Sequence, residues 1–494
     1  MNRQIRRLAV FAVVLVIALV VATTYWQTWA APGLADRQDN AIQRVAEFTV
    51  KRGRILAADG TLIARNRIKH VNGKTFYFRT YPLGRNFAHA VGYSTQVRSR
   101  AGLERSLNDY LTGSNANLST VLDRTLDRIK GSTIKGNDVV LTLSTKGQQV
   151  AREALGNLCG SVVAIEPRTG RVLVLASSPS YDPNLIEGHF DQATRAPNAA
   201  CSTPAPLLDR ATDGLYTPGS TFKVITASAG IDKGTFSLSS TFSDPGYCEE
   251  YGRRVFNYSD QGTPSGYGTV TLLQAIQYSI NSVFCNIGKQ IGGIRILDYA
   301  RRYGFYSKPP LELPGEERKA SGLYRKGKPW FPDDPNSFDP GRLAFGQERL
   351  QVTPVQMAMV AAAIADDGAV MKPYLVKQVL SPDGDPVVTT SPDRLGRAIS
   401  RGTADAITQG MEAAVRAGTS TRAQIPGVRV AGKTGTAESG VAHVNTTAFI
   451  CFAPADAPRV AIAVFLEQQS GVGGTTAAPI AKEVLEALLN EPRK

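Results

Sequence analysis

Ser220 and Lys223 stand three residues apart, directly after Pro218-Gly219 and at the start of a run whose pattern predicts a helix over 222–231. On a helix this spacing puts both side chains on one face, about one turn apart and within hydrogen-bonding reach. A serine hydroxyl becomes a useful nucleophile only when a base takes its proton. The chain has four histidines, at 70, 89, 189 and 443, and none lies near Ser220 in sequence. A lysine can serve as the base if it is neutral. Its reference pKa of ~10.4 must then fall to roughly 7 through burial or a neighbouring cation. A helix N-terminus at Ser220 would also direct positive potential and free N–H groups toward an oxyanion.

The Ser-x-x-Lys spacing is weak by itself, because Ser132 and Lys135 share it within a polar stretch. Two further motifs follow Ser220 in order. Ser279-Ile280-Asn281 offers a hydroxyl and an amide that can bond both a lysine and a substrate amide; alone, such a pair more often caps a helix. Lys433-Thr434-Gly435-Thr436 lies in a strand-like run. An edge there could pair with an extended peptide, Gly435 would allow close approach, and Lys433 with Thr434 and Thr436 could hold a carboxylate. The three motifs together are the signature of acyl-transfer enzymes that react with penicillin.

The surrounding pattern predicts the elements that must position these residues. Val139–Leu143 reads as a strand, 146–158 as a helix, and 161–165 with 172–176 as a hairpin turned by Pro167-Arg-Thr-Gly170. Helical patterns cover 272–287 and 355–365, the latter with Thr353 as N-cap and Pro354 at the first helical position. The segment 319–340 reads as a loop. Strands are expected over 428–436, 446–453 and 460–467, and a closing helix over 477–489. Strands at both ends with helices between them imply an α+β domain whose sheet joins the two ends.

Before residue 139 the chain carries two other kinds of sequence. Arg3, Arg6 and Arg7 precede an uncharged, apolar run from Leu8 to Trp26, long enough for a bilayer's hydrocarbon core, with Tyr25, Trp26 and Trp29 at its far end. This predicts a single-pass anchor with a cytoplasmic N-terminus and an extracytoplasmic remainder. The competing reading is a signal peptide cleaved near Ala30-Ala31. A polar stretch over 35–40 follows, and residues 41–138 then mix short strand-like runs, such as 75–81, with turns such as Asp59-Gly60. The expected division is 1–30 tail and anchor, 41–138 a small β-rich pedestal, and 139–494 the catalytic domain.

The net charge of +14 is concentrated in the pedestal region, where 17 Lys/Arg stand against 6 Asp/Glu between Arg44 and Gly136, a net of +11 (17 − 6). No nucleic-acid motif accompanies this block, so a face toward anionic lipid or wall polymer is the better account and no nucleic-acid partner is expected. The five cysteines show no CxxC and no histidine at ligand spacing, so neither metal nor cofactor is expected. In an exported chain Cys159 with Cys201, or Cys248 with Cys285, could pair. Cys451 in its apolar run reads as a buried, inert thiol.

With the motif set in place, the chain from about 139 onward resembles the transpeptidase domain of class B penicillin-binding proteins. Further likenesses are Gly160–Asn184 with its Ser-Ser-Pro-Ser-Tyr-Asp-Pro, Phe345-Gly-Gln-Glu-Arg-Leu-Gln-Val-Thr-Pro354, and Gly432–Ala437. Arg52-Gly-Arg-Ile55, Asp59-Gly60 and Leu62-Ile-Ala64 resemble the opening of that family's non-catalytic domain, and the whole is most similar to the penicillin-binding protein A subgroup. The length leaves no room for a glycosyltransferase domain, so a bifunctional class A enzyme is not expected.

The resemblance implies a penicillin-binding fold of antiparallel sheet flanked by helices, plus a helical subdomain. It implies Ser220 as nucleophile on the D-Ala–D-Ala bond of peptidoglycan stem peptides, Lys223 as its base, and Ser279 with Asn281 as proton relay and substrate holder. Lys433, Thr434 and Thr436 would bind the terminal carboxylate, with Gly435 between them, and the Ser220 and Thr436 N–H groups would form the oxyanion hole. Stem peptides, β-lactams, the lipid membrane and cell-wall synthesis proteins (a glycosyltransferase, divisome or elongasome members) are the implied partners. A β-lactamase would need a deacylating glutamate, for which Glu249 and Glu250 are candidates by position only. A membrane-anchored D,D-carboxypeptidase would carry the same three motifs and pass the acyl group to water. A scaffold of the division or elongation complex would keep them only as relics.

Overall fold

Valine, alanine, isoleucine and phenylalanine dominate 160–165, 445–453 and 460–466 without a single charge. A strand buried on both faces reads this way. In the structure, a computed structural model describing residues 2–25, 48–114, 135–201, 203–258, 266–438 and 444–492, these segments form one sheet. Its five antiparallel strands run in the order Ala431–Glu438, Asn445–Ala453, Val460–Gln469, Gly160–Ile165, Val172–Ser178. The last strand in sequence thus pairs with the first, Ile462 opposite Ala164 and Val464 opposite Val162, so the sheet joins both ends of the domain as the pattern implied.

Alternate residues of this sheet enter two different cores. Val162, Ala164, Ile462 and Val464 pack with the helices Thr145–Leu155 and Ala477–Leu489, whereas Val163, Ile165, Ala463 and Phe465 pack with Pro354–Ala365. The latter helix is apolar all round because it lies beneath the sheet and is buried along almost its whole length. Its start is as expected, with the Thr353 hydroxyl accepting from the Gln356 N–H and Pro354 in the first turn. The sheet places 431–438, and with it Lys433 to Thr436, at an edge.

A second sheet has six strands in the order Pro386–Thr389, Val376–Leu380, Asp138–Leu141, Ile55–Leu56, Leu62–Val71, Lys74–Thr80. Strand 138–141 lies parallel to 55–56 and antiparallel to 376–380, so residues far apart in sequence share one sheet. Alongside its strands the segment 48–114 carries short helices at Ala88–Val91, Gly102–Ser106 and Asn108–Leu111. Its interior is braced by a buried carboxylate. Glu104 accepts from Arg52 Nη2 at 2.9 Å and Arg79 Nε at 2.5 Å, and all three side chains are buried.

The helix Asn2–Thr24 has 23 residues, a rise of about 34 Å at 1.5 Å per residue, which matches a hydrocarbon core of about 30 Å. Its mean hydropathy reaches 2.6 and none of it is buried against the protein, so a single N-terminal apolar helix fits a membrane anchor. The predicted interfacial Trp26 and Trp29, the Ala30-Ala31 site, the polar stretch 35–40 and Ser132 lie outside the described residues.

Three local expectations need correction. The helix expected over 272–287 is two helices, Leu272–Gln277 and Asn281–Ile291, separated by a turn in which Ser279 takes φ +60°. The helix after Ser220 begins as a 3₁₀ turn, Gly219–Phe222, before Lys223–Ile231. The segment 319–340 holds a small hairpin, Gly322–Arg325 with Lys328–Pro329, where its density of Pro, Lys and Asp suggested only a loop. Cys159 is joined to Cys201 and Cys248 to Cys285, while Cys451 is a free, buried thiol whose pKa burial drives up.

Candidate active site

Ser220 lies half-buried in the 3₁₀ turn, and that turn is pressed against the edge strand of the five-stranded sheet. Gly219 has φ +53°, and a Cβ there would fall 2.6 Å from the Thr436 carbonyl oxygen. A Cβ on Gly435 would likewise fall 2.5 Å from the Pro218 carbonyl oxygen, so the space this glycine leaves is filled by the turn itself. The Gly219 N–H donates to the Gly346 carbonyl at 3.0 Å, and Tyr216 and Val352 exchange two backbone hydrogen bonds. The segment 345–354 therefore cradles the turn that carries Ser220.

Lys223 is fully buried one turn further on. Its Nζ donates to the Ser279 carbonyl at 2.6 Å and to Asn281 Oδ1 at 2.7 Å, and lies 3.3 Å from Ser279 Oγ. The two short contacts are to oxygens that only accept. In a neutral amine they would take the two hydrogens and leave the lone pair free. Burial drives the Lys223 pKa well below that of an ordinary lysine, and the charge of Lys433 lowers it further. Lys433 is also fully buried, and burial brings its pKa down to about 7. Its Nζ donates to Ser279 Oγ at 2.8 Å and to the Thr434 carbonyl at 3.2 Å. Among the described residues no carboxylate is paired with either lysine, so no counter-charge offsets the loss of hydration.

Ser279 and Asn281 thus meet Lys223 and Lys433 in one cluster, and neither side chain caps the helix that follows; Ile280 stands at that N-cap position. Asn281 is oriented from both ends, with Oδ1 on Lys223 and Nδ2 donating to the Phe256 carbonyl at 3.0 Å, which leaves one amide hydrogen to offer. The sequence reading missed the residue that holds this turn in place. Asp244, nearly fully buried, accepts from the Gly246 N–H, the Tyr267 N–H at 2.9 Å, Asn257 Nδ2 at 3.0 Å and the Ser282 hydroxyl. Asn257 Oδ1 in turn accepts from the Ser282 N–H at 3.0 Å. The bond from Gly246 belongs to a local turn, but the three donors at 257, 267 and 282 leave no mark in the sequence around Asp244.

Two family models match this chain. The penicillin binding protein transpeptidase domain covers residues 160–486, and the penicillin binding protein A dimerisation domain covers 52–139. The chain belongs to the penicillin-binding protein family. It is 36% identical over 510 residues to the peptidoglycan D,D-transpeptidase PbpA of Mycolicibacterium smegmatis, across 99% of this chain and 100% of that one. To the Mycobacterium tuberculosis protein of the same name it is 35% identical, across 99% of each chain. Among solved structures, penicillin-binding protein A from M. tuberculosis as its ceftriaxone acyl-enzyme superposes with a TM-score of 0.80 at 33% identity, covering 90% of this chain and 100% of that one. Its penicillin G acyl-enzyme gives 0.78 at 33%, covering 89% and 100%. The expected likeness to class B proteins of the penicillin-binding protein A subgroup holds.

Within this penicillin-binding protein the remaining motif residues divide by accessibility. Thr434 is buried and its hydroxyl donates to Thr419 Oγ1 at 2.9 Å, so its hydrogen is already used. Thr436 is half-exposed, and its hydroxyl accepts from the Gly473 N–H at 3.3 Å; among the described residues no acceptor takes its hydrogen. Thr419, exposed at the end of the helix Arg401–Ala417, joins this group without having been singled out; a Gly-Thr-Ser-Thr run at 418–421 is its only sequence signal. Glu250 faces Lys289 at 2.9 Å and Glu249 faces Arg254 at 3.6 Å, and neither bonds Ser220, Lys223 or Ser279. The 160–184 landmark reaches the pedestal instead, with Asn184 bonding both the Tyr81 N–H and carbonyl at 2.9 Å.

Proposed function

We propose that this protein is a membrane-anchored peptidoglycan D,D-transpeptidase with Ser220 as its acylated nucleophile, and that β-lactams acylate the same hydroxyl. The observation that carries this reading is Lys223, buried without a counter-charge and with its two hydrogens directed at the Ser279 carbonyl and Asn281 Oδ1. A lysine held neutral in this way is a base one helical turn from a serine.

Ser220 Oγ would attack the carbonyl carbon of the penultimate D-Ala while its proton passes to Lys223 Nζ. The tetrahedral oxyanion would sit between the Ser220 and Thr436 N–H groups, which the close approach of Gly219 to Thr436 supports. Collapse breaks the peptide bond. The leaving amine of the terminal D-Ala would take a proton from the Ser279 hydroxyl, which is re-protonated from Lys223 or Lys433, its two amine neighbours. An amine from a second stem peptide would then attack the ester and return Ser220 to its hydroxyl form. One amide is exchanged for another, so no nucleotide is consumed. Thr436, with Thr419 beside Thr434, would bind the terminal carboxylate, and Lys433 would supply the positive field.

The chain is read as tail and anchor over 1–30, pedestal over 41–138 and catalytic domain over 139–494, with the N-terminus cytoplasmic and the rest outside. The arginines before the apolar helix support that orientation. Other proteins of wall synthesis would dock on the pedestal. The test is labelling of the full-length protein with fluorescent penicillin, together with release of D-Ala and formation of dimers from stem peptides. Wild type should show all three and Ser220→Ala none. Labelling that persists in Ser220→Ala would refute the assignment of the nucleophile, and D-Ala release without dimers would make the enzyme a carboxypeptidase.

A further inference from the structure

Immediately before Ser279 in the chain stands Tyr278, and its ring is stacked on that of Tyr267, with centroids 5.4 Å apart and planes 12° from parallel. The two rings remain 37% and 46% exposed. Large aromatic surface left open beside a reactive cluster is unusual unless something covers it in use. The backbone of both residues is also held in place. The Tyr267 N–H is held by Asp244, whose other oxygen takes the Ser282 hydroxyl next to Asn281. The Tyr278 N–H donates to the Gln274 carbonyl at 2.9 Å, and the left-handed backbone of Ser279 sets the direction of the chain after it. Tyr278 is therefore part of the turn that delivers Ser279 and Asn281 to the lysines, and Tyr267 is tied to that turn through Asp244.

Resting on the reading of the site given above, we propose that Tyr267 and Tyr278 form an aromatic platform that binds the acyl side of the substrate: the planar amides and apolar groups of the donor stem peptide, and equally the side chain of a β-lactam. The chemistry favours this occupant. Two nearly parallel rings present faces with partial negative charge and no ion, which suit flat amides, C–H groups and aryl rings but not a carboxylate. Asn281, three residues after Tyr278, keeps one amide hydrogen for a substrate carbonyl, so a peptide bonded there would extend past the rings. Because the rings are stacked on each other before binding, little ordering cost opposes the contact. The pair sets specificity and takes no part in bond making.

The test compares two penicillins with the same reactive nucleus on the full-length protein in detergent: benzylpenicillin, which carries an aryl acyl side chain, and 6-aminopenicillanic acid, which carries none. The readout is the ratio of their second-order acylation rates. Tyr267→Ala and Tyr278→Ala should each lower the benzylpenicillin-to-6-aminopenicillanic acid ratio by about threefold to tenfold, the range a stacking contact supplies. The double variant should lose little more than either single one, because each ring needs the other for support. Tyr267→Phe and Tyr278→Phe should restore the ratio, since the ring and not the hydroxyl is used. An unchanged ratio in the alanine variants, or an equal fall for both penicillins, overturns the platform. Wild-type protein that neither penicillin acylates would instead overturn the transpeptidase reading on which the platform rests.

Discussion

The Ser279 hydroxyl lies 2.8 Å from Lys433 Nζ, and this contact joins the edge strand of the sheet to the helical lobe at the one point where two buried lysines face each other. On its far side the same hydroxyl is 3.3 Å from Lys223 Nζ. Two cations so close in a dry site cannot both stay charged. On the reading proposed above, the arrangement would store a proton on one amine while the other acts as a base, with Ser279 connecting them.

The acid limb of the acylation rate should therefore report Lys223 and respond to Lys433. The rate rises with pH as Lys223 loses its proton. Lys433→Ala removes a like charge that now helps to lower the Lys223 pKa, so the limb should move to higher pH. Lys223→Arg, which cannot become neutral, should lower acylation by about a thousandfold at every pH between 6 and 9. Stopped-flow acylation by a fluorescent penicillin across that range checks both.

Ser279 holds a left-handed conformation at φ +60° that glycine adopts freely and alanine does not. Ser279→Gly and Ser279→Ala should both abolish acylation, since the bridging hydroxyl is gone. Their stabilities should differ, with the glycine variant about 1 kcal/mol more stable in urea unfolding. Equal stabilities would show that the turn relaxes when the hydroxyl is removed.

In the pedestal, Glu104 neutralises two buried arginines, Arg52 and Arg79. Removing it leaves two guanidinium groups without a counter-charge in a dry interior. Glu104→Ala should cost about 3–5 kcal/mol in denaturant unfolding, far more than loss of the exposed Arg429–Glu412 pair. A cost below about 1 kcal/mol would mean that water reaches the site.

Glu317 meets the pedestal from the catalytic side, accepting from the Gly102 N–H at 3.1 Å. Burial, with Asp209 and Glu316 nearby, pushes its pKa up to about 7, above the 4.5 of a free glutamate. A raised carboxyl pKa favours the folded state below about 4.5, and that contribution is lost as pH rises through 7. Between pH 6 and 8 the wild type should therefore lose about 1 kcal/mol relative to Glu317→Gln, whose amide can still accept from Gly102 and does not titrate. Paired thermal unfolding at the two pH values measures it.

Much of the core was legible in the sequence because the signals that specify it are local. The hairpin of 160–178, the three C-terminal strands, the capped helix at 354–365 and the closing helix 477–489 fall within a few residues of where periodicity places them. The three motifs were also legible, since each is a short local pattern and the set in this order is a family signature. Both cysteine pairs held open by the sequence are joined, at Cα separations of 5.6 and 6.4 Å.

What local pattern could not carry are contacts whose partners are far apart in the chain. The strand 376–380 beside 138–141, the hydrogen bonds that Asp244 accepts from Asn257, Tyr267 and Ser282, and the exposed tyrosine pair next to Ser279 have no short-range period to betray them. The broken helix at Ser279 was missed for a related reason: apolar residues on both sides continue a helical rhythm, and the contacts that favour the turn, with Lys223, Lys433 and the Asp244–Asn257 pair behind Ser282, come from elsewhere in the chain. The sequence by itself determined which side chains could perform acyl transfer. The tertiary structure decided that Lys223 is buried and its pKa lowered, because loss of hydration is a property of the folded surroundings and not of the residue.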